Sequence, residues 1–474
     1  YASDAAAIPG LLPQRKTDTV APAVYREPAA APTSGRLPSL KQEGPKNTAS
    51  GNNSQLSEEV SSLQKEIDAI RELNKSSASF GVSIRARSGE KGLSQLKDIE
   101  TPIEVQLHNL GNGKLGLKII PVLIDAGTLY LNDPAVAGQF GINTQLNERA
   151  KYDKVPFTTV AKNAGLSNVA EIEQQAKGVA LSLSYEIASF KVDIGASPVG
   201  FAVNNVVGGI RWSEQSDGLS FGAEITRRSV TDSYLSYAGA HDSIYGLTWG
   251  GVTKTGVHLD TSYDGEDGGV YASGGYYALT GKNVAKNRMF ELGGGAYWRA
   301  YKTNDMTVTT GLNMTSMFYN KNLRYFTYGH GGYFSPKSYV ALGIPLEVAG
   351  RKGRLSYLVG TSIGVQHFTE SKTPYFPNNS VDQADLELFA AANPNVGIQT
   401  YYPGQTHTGV QFKLTGGLEY QFNPHLFVGS RFSIDNSGDF TDGAGALYLR
   451  YSFEPQRQAV QFPPVAPKPY YLGN

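Results

Sequence analysis

Residues that could perform enzymatic chemistry are scattered along this chain and do not form a recognisable set. None of its seven histidines stands at a metal-ligand spacing such as H-E-x-x-H, and the chain has no cysteine. The run His241-Asp242-Ser243 contains the residue types of a catalytic triad, but adjacent residues project in different directions and cannot form one. We therefore expect a loop turn at this run, with no catalytic residue, no metal and no cofactor. A dispersed enzymatic site stays open as the alternative.

Tyrosines and charged residues that alternate with apolar residues suggest another chemistry. Their rings could stack against sugar rings, and their charges are of mixed sign. A pore for an anionic polymer would instead need an excess of Lys and Arg, so we expect these residues to line a lumen for a neutral, hydroxylated solute. The candidates are Tyr297, Tyr339, Tyr448, Arg85, Arg87, Glu291, Arg299, Glu347, Glu419 and Arg450. The alternative for each ring is that it fills space or pairs with a charge of the wall.

The elements that would position these residues are β-strands. After Ala78 the hydrophobic period changes from 3.6 to 2 and keeps that value to Phe453. In the stretches 340–348 and 447–453, for example, apolar residues alternate with glycine, tyrosine and charged residues. One apolar face and one polar face indicate either a solvated antiparallel sheet or a barrel in lipid.

Loop lengths favour the barrel. In outer-membrane barrels short turns lie on the periplasmic side and long loops lie outside. This alternation holds along the chain if residues 244–263 are a loop that ends in one strand, which gives sixteen strands and puts both ends on the periplasmic side. The predicted strands lie near 79–88, 101–109, 114–124, 177–186, 189–196, 207–213, 219–227, 252–263, 270–279, 289–299, 306–319, 337–348, 354–367, 410–421, 425–434 and 445–453. The prediction is thus an all-β, sixteen-stranded antiparallel transmembrane β-barrel of the porin type.

Three segments flank the predicted barrel at 78–453. Residues 1–54 are rich in Ala, Pro and Ser and are predicted to be a flexible linker. Residues 55–75 place apolar residues at helical spacing and predict an amphipathic connector helix. The Pro-rich tail at 454–474 cannot join a closed sheet, so we expect it at the periplasmic mouth or in the lumen.

Charge and terminal sequence exclude several other classes of protein. The chain has 42 Lys and Arg against 42 Asp and Glu, and this zero net charge argues against nucleic-acid binding. It has no apolar stretch long enough for a transmembrane helix. Because no signal peptide is present at its start, we expect a processed product or a fragment of a longer protein.

Two predicted external loops have unusual sequences. Residues 325–336 read Tyr-Phe-Thr-Tyr-Gly-His-Gly-Gly-Tyr-Phe-Ser-Pro, and residues 227–239 read Arg-Arg-Ser-Val-Thr-Asp-Ser-Tyr-Leu-Ser-Tyr-Ala-Gly. Glycines allow the predicted loop that contains the first run, residues 320–336, to fold inward over the pore and swing out, so we predict an external gate whose removal raises conductance. Its candidate residues are Tyr325, Phe326, Tyr328, His330, Tyr333 and Phe334. A loop that only braces its neighbours is the alternative.

These two loops, together with Trp249-Gly-Gly-Val252 and Gly281-Lys-Asn-Val-Ala-Lys-Asn287, resemble the C-terminal outer-membrane domain of cellulose synthase operon protein C. The resemblance covers about residues 78–453. It implies a porin-like barrel in the bacterial outer membrane through which cellulose, a neutral β-1,4-glucan, leaves the cell. The family also has a periplasmic array of tetratricopeptide repeats, which do not occur in this sequence.

The partners implied by the resemblance are the cellulose polymer, the upstream repeats, the inner-membrane cellulose synthase complex and outer-membrane lipid. Nucleic acid is not among them. Two alternatives stay open: an exporter of another polysaccharide, of the poly-N-acetylglucosamine or alginate type, and a barrel enzyme.

Overall fold

The structure is a computed structural model, and part of the chain lies outside the residues that it describes. The predicted linker and the predicted helix, apart from Lys75, are in that part. The described residues are 75–130, 136, 138–163, 171–242, 245–436, 441–457 and 459–472.

Sixteen antiparallel strands form a closed barrel. Each strand pairs with the next along the chain, and the last pairs with the first, with Phe80 opposite Leu449. The sheet therefore has no free edge. The strands are β1 Ser77–Arg87, β2 Leu96–Glu100 continued by Ile103–Leu110, β3 Gly113–Tyr130, β4 Glu171–Ile187, β5 Phe190–Val199, β6 Val206–Ser216, β7 Leu219–Ser229, β8 Leu247–Asp264, β9 Gly268–Lys282, β10 Asn287–Lys302, β11 Met306–Tyr319, β12 Ser338–Lys352, β13 Leu355–Glu370, β14 Gln405–Gln421, β15 Leu426–Asn436 and β16 Thr441–Ser452.

The predicted fold class and strand number are confirmed, but some boundaries were wrong. Residues 96–100, predicted as loop, extend β2 and pair with both β1 and β3. The sequence does not reveal this continuity, because Pro102 has no N–H for the ladder. In the structure the carbonyl of Pro102 accepts the N–H of Gly81 at 2.9 Å. Strand β8 begins at Leu247 rather than near 252. There Gly250 and Gly251 have φ of 101° and 58° and shift the register, which a period of two does not reveal.

The two faces of the barrel differ in the way expected in lipid. On β1 the outward residues Phe80 and Ile84 are 47% and 54% exposed, while the inward residues Ser83, Arg85 and Arg87 are buried. An apolar outer belt around a polar interior is the arrangement of an outer-membrane barrel, and the outer membrane is the location of this one. No helix in the described ranges is long and apolar enough to cross a membrane.

The main apolar core lies where the long loops meet at one end of the barrel, and this layer is called the lid below. Its buried residues include Leu93, Phe140, Trp249, Tyr333 and Phe334. The lid contains the described helices α1 Asn143–Asp153, α2 Phe157–Asn163, α3 Tyr234–Ala238 and α4 Ser380–Ala392. The other end of the barrel has only short turns, so the lid marks the external side.

Candidate functional site

The three predicted lumen tyrosines point inward and are buried, and their hydroxyls bond to groups of the wall. Tyr448 Oη donates to Glu419 Oε2 at 2.9 Å, and Arg450 Nε reaches the same oxygen at 3.3 Å. Tyr339 Oη donates to Gln366 Oε1 at 3.0 Å. Tyr297 Oη donates to Asp264 at 2.5 Å. The tyrosine hydroxyls therefore agree with the alternative prediction, in which each of these residues pairs with a polar group of the wall.

Many charges of the lumen are paired between strands that have one other strand between them. Arg228 makes two bonds of 2.6 and 2.7 Å to the carboxylate of Asp193. Arg211 bonds both oxygens of Asp260, at 2.8 and 3.1 Å. The predicted Arg299 pairs with one carboxylate oxygen of Asp264. The wall thus offers many hydrogen-bonding groups with little uncompensated charge.

A cluster around the predicted Glu291 was not anticipated from the sequence. Tyr277 Oη donates to Glu291 Oε1 at 2.7 Å, and His258 Nδ1 lies 3.1 Å from the same hydroxyl. Lys254 Nζ is 3.8 Å from Glu291 Oε2. These residues come from β8, β9 and β10. The alternation of inward and outward positions along each strand could have placed them on the same inner face. The predicted Glu347 is also inward and buried.

The loop between β7 and β8 folds into the barrel over residues 230–242, and this segment is called the crossing loop. Arg85 Nη1 donates to the carbonyl of Thr231 at 3.0 Å, and Arg87 donates to the carbonyl of Asp232. Strand β1 lies six strands from β7 around the barrel, so the loop spans the lumen. Arg85 and Arg87, predicted as solute contacts, hold this loop instead. Arg85 also pairs with Asp442 at 2.7 Å.

The predicted gate packs on top of the crossing loop. The N–H of Phe334 donates to Asp232 Oδ2 at 3.2 Å, and Tyr333, Phe334 and His330 are fully buried. Tyr325 stacks on Tyr402 with ring centroids 3.6 Å apart. The gate candidates that are half-buried in the lid are Tyr325, Phe326 and Tyr328. All six gate candidates lie in the lid. The layer beneath them is the crossing loop.

Two titratable groups of the lid have pKa values shifted by burial. Burial lowers the pKa of His330 to about 3, although a hydrogen bond to the carbonyl of Pro374 favours the charged form. His330 Nε2 is 3.0 Å from that carbonyl oxygen, and Nδ1 is buried without a hydrogen-bond partner in the described part of the chain. Burial also raises the pKa of Asp232 to about 6, against the opposing effect of Arg87 and Arg85.

The C-terminal tail enters the lumen from the periplasmic side. Arg351 Nη1 donates to the carbonyl of Val460 at 3.3 Å, and the N–H groups of Tyr470 and Tyr471 donate to the carboxylate of Glu100. Tyr470 stacks on Tyr237 of the crossing loop with centroids 5.7 Å apart and planes 1° from parallel. The tail and the crossing loop therefore meet inside the barrel.

A hollow of about 640 Å³ lies beside the tail at the periplasmic mouth. It is lined by side chains of three periplasmic turns, among them Asp217, Glu266 and Lys302, and by Phe462 of the tail. Carboxylates, an ammonium group and a ring are the groups that a hydroxylated chain can use for hydrogen bonds and stacking.

In the run His241-Asp242-Ser243, the first two residues do not form the expected loop turn, and Ser243 lies outside the described residues. His241 and Asp242 lie in a short strand, Ala240–Asp242, paired with β8. His241 Nδ1 is 3.0 Å from Thr248 Oγ1, whereas Asp242 is contacted by Asn143. Within the described residues, no group of three or more His, Asp or Glu could hold a metal ion.

Comparisons with known proteins identify the family. The family model described as "Cellulose synthase operon protein C C-terminus" matches residues 94–454. Cellulose synthase operon protein C of Xanthomonas axonopodis pv. citri (strain 306) is 30% identical over 97% of this chain and 39% of its own length. That of Pseudomonas fluorescens (strain SBW25) is 34% identical over 84% of this chain and 28% of its own length.

A solved structure titled bacterial polysaccharide outer membrane secretin covers 80% of this chain and 99% of its own, with 9% identity and a TM-score of 0.47. The chain spans between about a quarter and two fifths of the length of the two curated relatives. Since the family model covers most of the barrel from β2 to β16, the chain belongs to the family of the C-terminal domain of cellulose synthase operon protein C.

Proposed function

We propose that this barrel conducts nascent cellulose from the periplasm to the cell surface. The single observation that supports this most is the lumen wall, where charges are paired and tyrosine hydroxyls and carboxylates supply hydrogen bonds. Such a wall suits a neutral glucan, because a hydroxylated polymer can exchange weak contacts along it without meeting an uncompensated charge. The name shared by the relatives, cellulose synthase operon protein C, gives the polymer.

The barrel acts as a passive conduit with two closures that move. The tail withdraws from Glu100 and Tyr237, and the crossing loop leaves Arg85 and Arg87. The gate residues then shift with the crossing loop, because Phe334 is bonded to Asp232. The hollow at the periplasmic mouth receives the polymer beside the tail. We propose that the barrel performs no catalysis, which its porin-like fold supports.

The force that drives the polymer comes from elsewhere in the export system. Strand β1 begins with Ser77 at the periplasmic end of the barrel. We propose that tetratricopeptide repeats of the longer protein guide the polymer to the mouth. The inner-membrane cellulose synthase complex then pushes it through.

Current block in planar bilayers tests the proposal. A barrel without residues 326–334 and 456–474, which lacks both the predicted gate and the tail, is prepared first, and neutral cello-oligosaccharides are added on the periplasmic side. We expect brief, concentration-dependent blocks that alginate oligomers of equal length do not produce. Equal or stronger block by alginate would contradict a path for neutral glucan and favour the rival exporter. A paired assay of secreted cellulose in cells that express the full chain links the block to export.

A further inference from the structure

A basic patch lies on the external rim of the barrel, where strands β9 to β12 end. All of its residues are exposed. They are Lys282, Lys286, Arg288, Lys321 and Lys337. We call this patch the basic rim.

Hydrogen bonds donated by backbone N–H groups hold the segments of the basic rim side by side. The N–H of Asn320 donates to the carbonyl of Arg288 at 3.2 Å, and the N–H of Lys321 donates to Asn287 Oδ1 at 2.9 Å. The N–H of Tyr319 donates to the carbonyl of Pro336, next to Lys337, at 3.0 Å. The cations therefore share one continuous part of the rim.

The external parts of these strands and the loops that join them contain no acidic residue that could neutralise the basic rim. The sequence contains no Asp or Glu between residues 268 and 290 or between 306 and 346. Arg324, the other basic residue of these ranges, is buried and pairs with Glu370 at 2.8 Å. Among the described residues, by contrast, the five cations of the basic rim make no ion pair.

Aromatic rings lie directly below the basic rim on the outer face of the barrel. Arg288 and Phe290 are two residues apart on β10 and so point to the same side. Tyr276, Phe290 and Phe318 are 49%, 41% and 39% exposed to the lipid, and the rings of Phe290 and Phe318 stack with centroids 6.3 Å apart. A molecule that binds here would meet positive charge at the rim and an apolar surface beneath it.

At the external end of β4, six strands from β10, the charges on the outer face differ from those of the basic rim. The outer face of β4 presents the exposed residues Glu171, Glu173 and Lys177, and Lys97 on β2 lies opposite Asp125 on β3. Charges of both signs occur there. The unmixed positive charge is therefore a local feature of the wall at β9 to β12 rather than a property of the whole rim.

We propose that the basic rim binds the phosphate groups of a phosphorylated glycolipid of the outer leaflet, of the lipid A type. Its phosphates complement the five cations, because anionic headgroups attract clusters of Lys and Arg at a membrane surface. Its acyl chains pack on Tyr276, Phe290 and Phe318. This combination of charge and apolar surface distinguishes a lipid from free phosphate.

Lipid retention by the full chain tests the proposal. The variant K282Q/R288Q/K321Q/K337Q and the matched control K97Q/K177Q are reconstituted in phosphatidylcholine vesicles that contain bis-phosphorylated lipid A. The barrels are re-extracted in mild detergent, and bound lipid A is counted by mass spectrometry. We expect the first variant to lose bound lipid A roughly tenfold and the control to match the unchanged chain. Resistance of the folded barrel to unfolding in SDS without heating verifies both variants.

Two results would overturn the proposal. One is equal lipid A retention by the rim variant and the control, which would leave the basic rim as a solvated surface. The other is complete release of lipid A by inorganic phosphate, which would show a phosphate site without lipid specificity. Weaker retention of monophosphoryl than of bis-phosphorylated lipid A would support the role of phosphate charge.

Discussion

The lumen tyrosines act in this barrel as members of polar networks, each bonded to a neighbour on the wall. We predict that Tyr297→Ala, Tyr339→Ala or Tyr448→Ala alone leaves cellulose export largely intact, because the wall binds the polymer through many weak contacts. The triple variant should reduce secreted cellulose several-fold. Staining of secreted cellulose measures this, with heat-modifiable migration of the barrel as the folding control. Loss of export in a single, folded variant would indicate a discrete site instead.

His330 and Asp232 should give the lid opposite dependences on pH. The pKa of His330 falls from 6.5 to about 3 in the closed lid, so acidification below 6.5 favours the open lid. The pKa of Asp232 rises from 3.8 to about 6, so the closed lid gains stability as pH falls through 6. The two effects largely cancel in the unchanged chain.

Single substitutions should separate these effects. Between about pH 7 and about pH 4.5, acidification should raise the single-channel conductance of Asp232→Asn and lower that of His330→Gln. The Gln side chain can keep a donor toward the carbonyl of Pro374 and does not titrate. The same sign of change in both variants would contradict the assignment.

At the scale of elements, the tail and the crossing loop are two separate barriers in series. Deleting residues 456–474 should leave the folded barrel intact, because the described part of the tail pairs with no strand of the sheet. It should raise conductance, since the contacts of Tyr470 and Tyr471 in the lumen are lost. Planar-bilayer recordings measure the change. An unchanged conductance would show that the crossing loop alone closes the pore.

The predicted gate is the upper layer of the second barrier. Deleting residues 326–334 alone should now have a limited effect on conductance, because Arg85 and Arg87 still hold the crossing loop. Combining this deletion with loss of 456–474 should raise conductance more than the sum of the two single effects. A large increase from the loop deletion alone would make these residues the principal gate, as the sequence suggested.

At the scale of the whole molecule, paired charges should make the opened pore nearly non-selective. With residues 326–334 and 456–474 both deleted, the reversal potential in a KCl gradient should lie near zero. Replacing Asp193 and Asp260 by Asn leaves Arg228 and Arg211 without these partners, so the pore should become anion-selective. Strong anion selectivity before this substitution would instead point to an anionic polymer.

The sequence by itself determined the features that depend on local pattern. A side-chain period of two identifies the strands and their two faces, because inward and outward residues alternate along each strand. The alternation of short and long connections gives the even number of strands. The inward position of Tyr297, Tyr339 and Tyr448 followed from the same parity. The family was also visible in short loop motifs.

Only the tertiary structure decided how the pore is closed. Arg85 and Thr231 are 146 residues apart, and Tyr470 and Glu100 are 370 apart. Contacts of this kind join loops and a tail that have no periodicity, so no pattern in the chain predicts which carbonyl or carboxylate each one reaches. Whether Arg85 faces a solute or holds a loop depends on what folds into the lumen beside it.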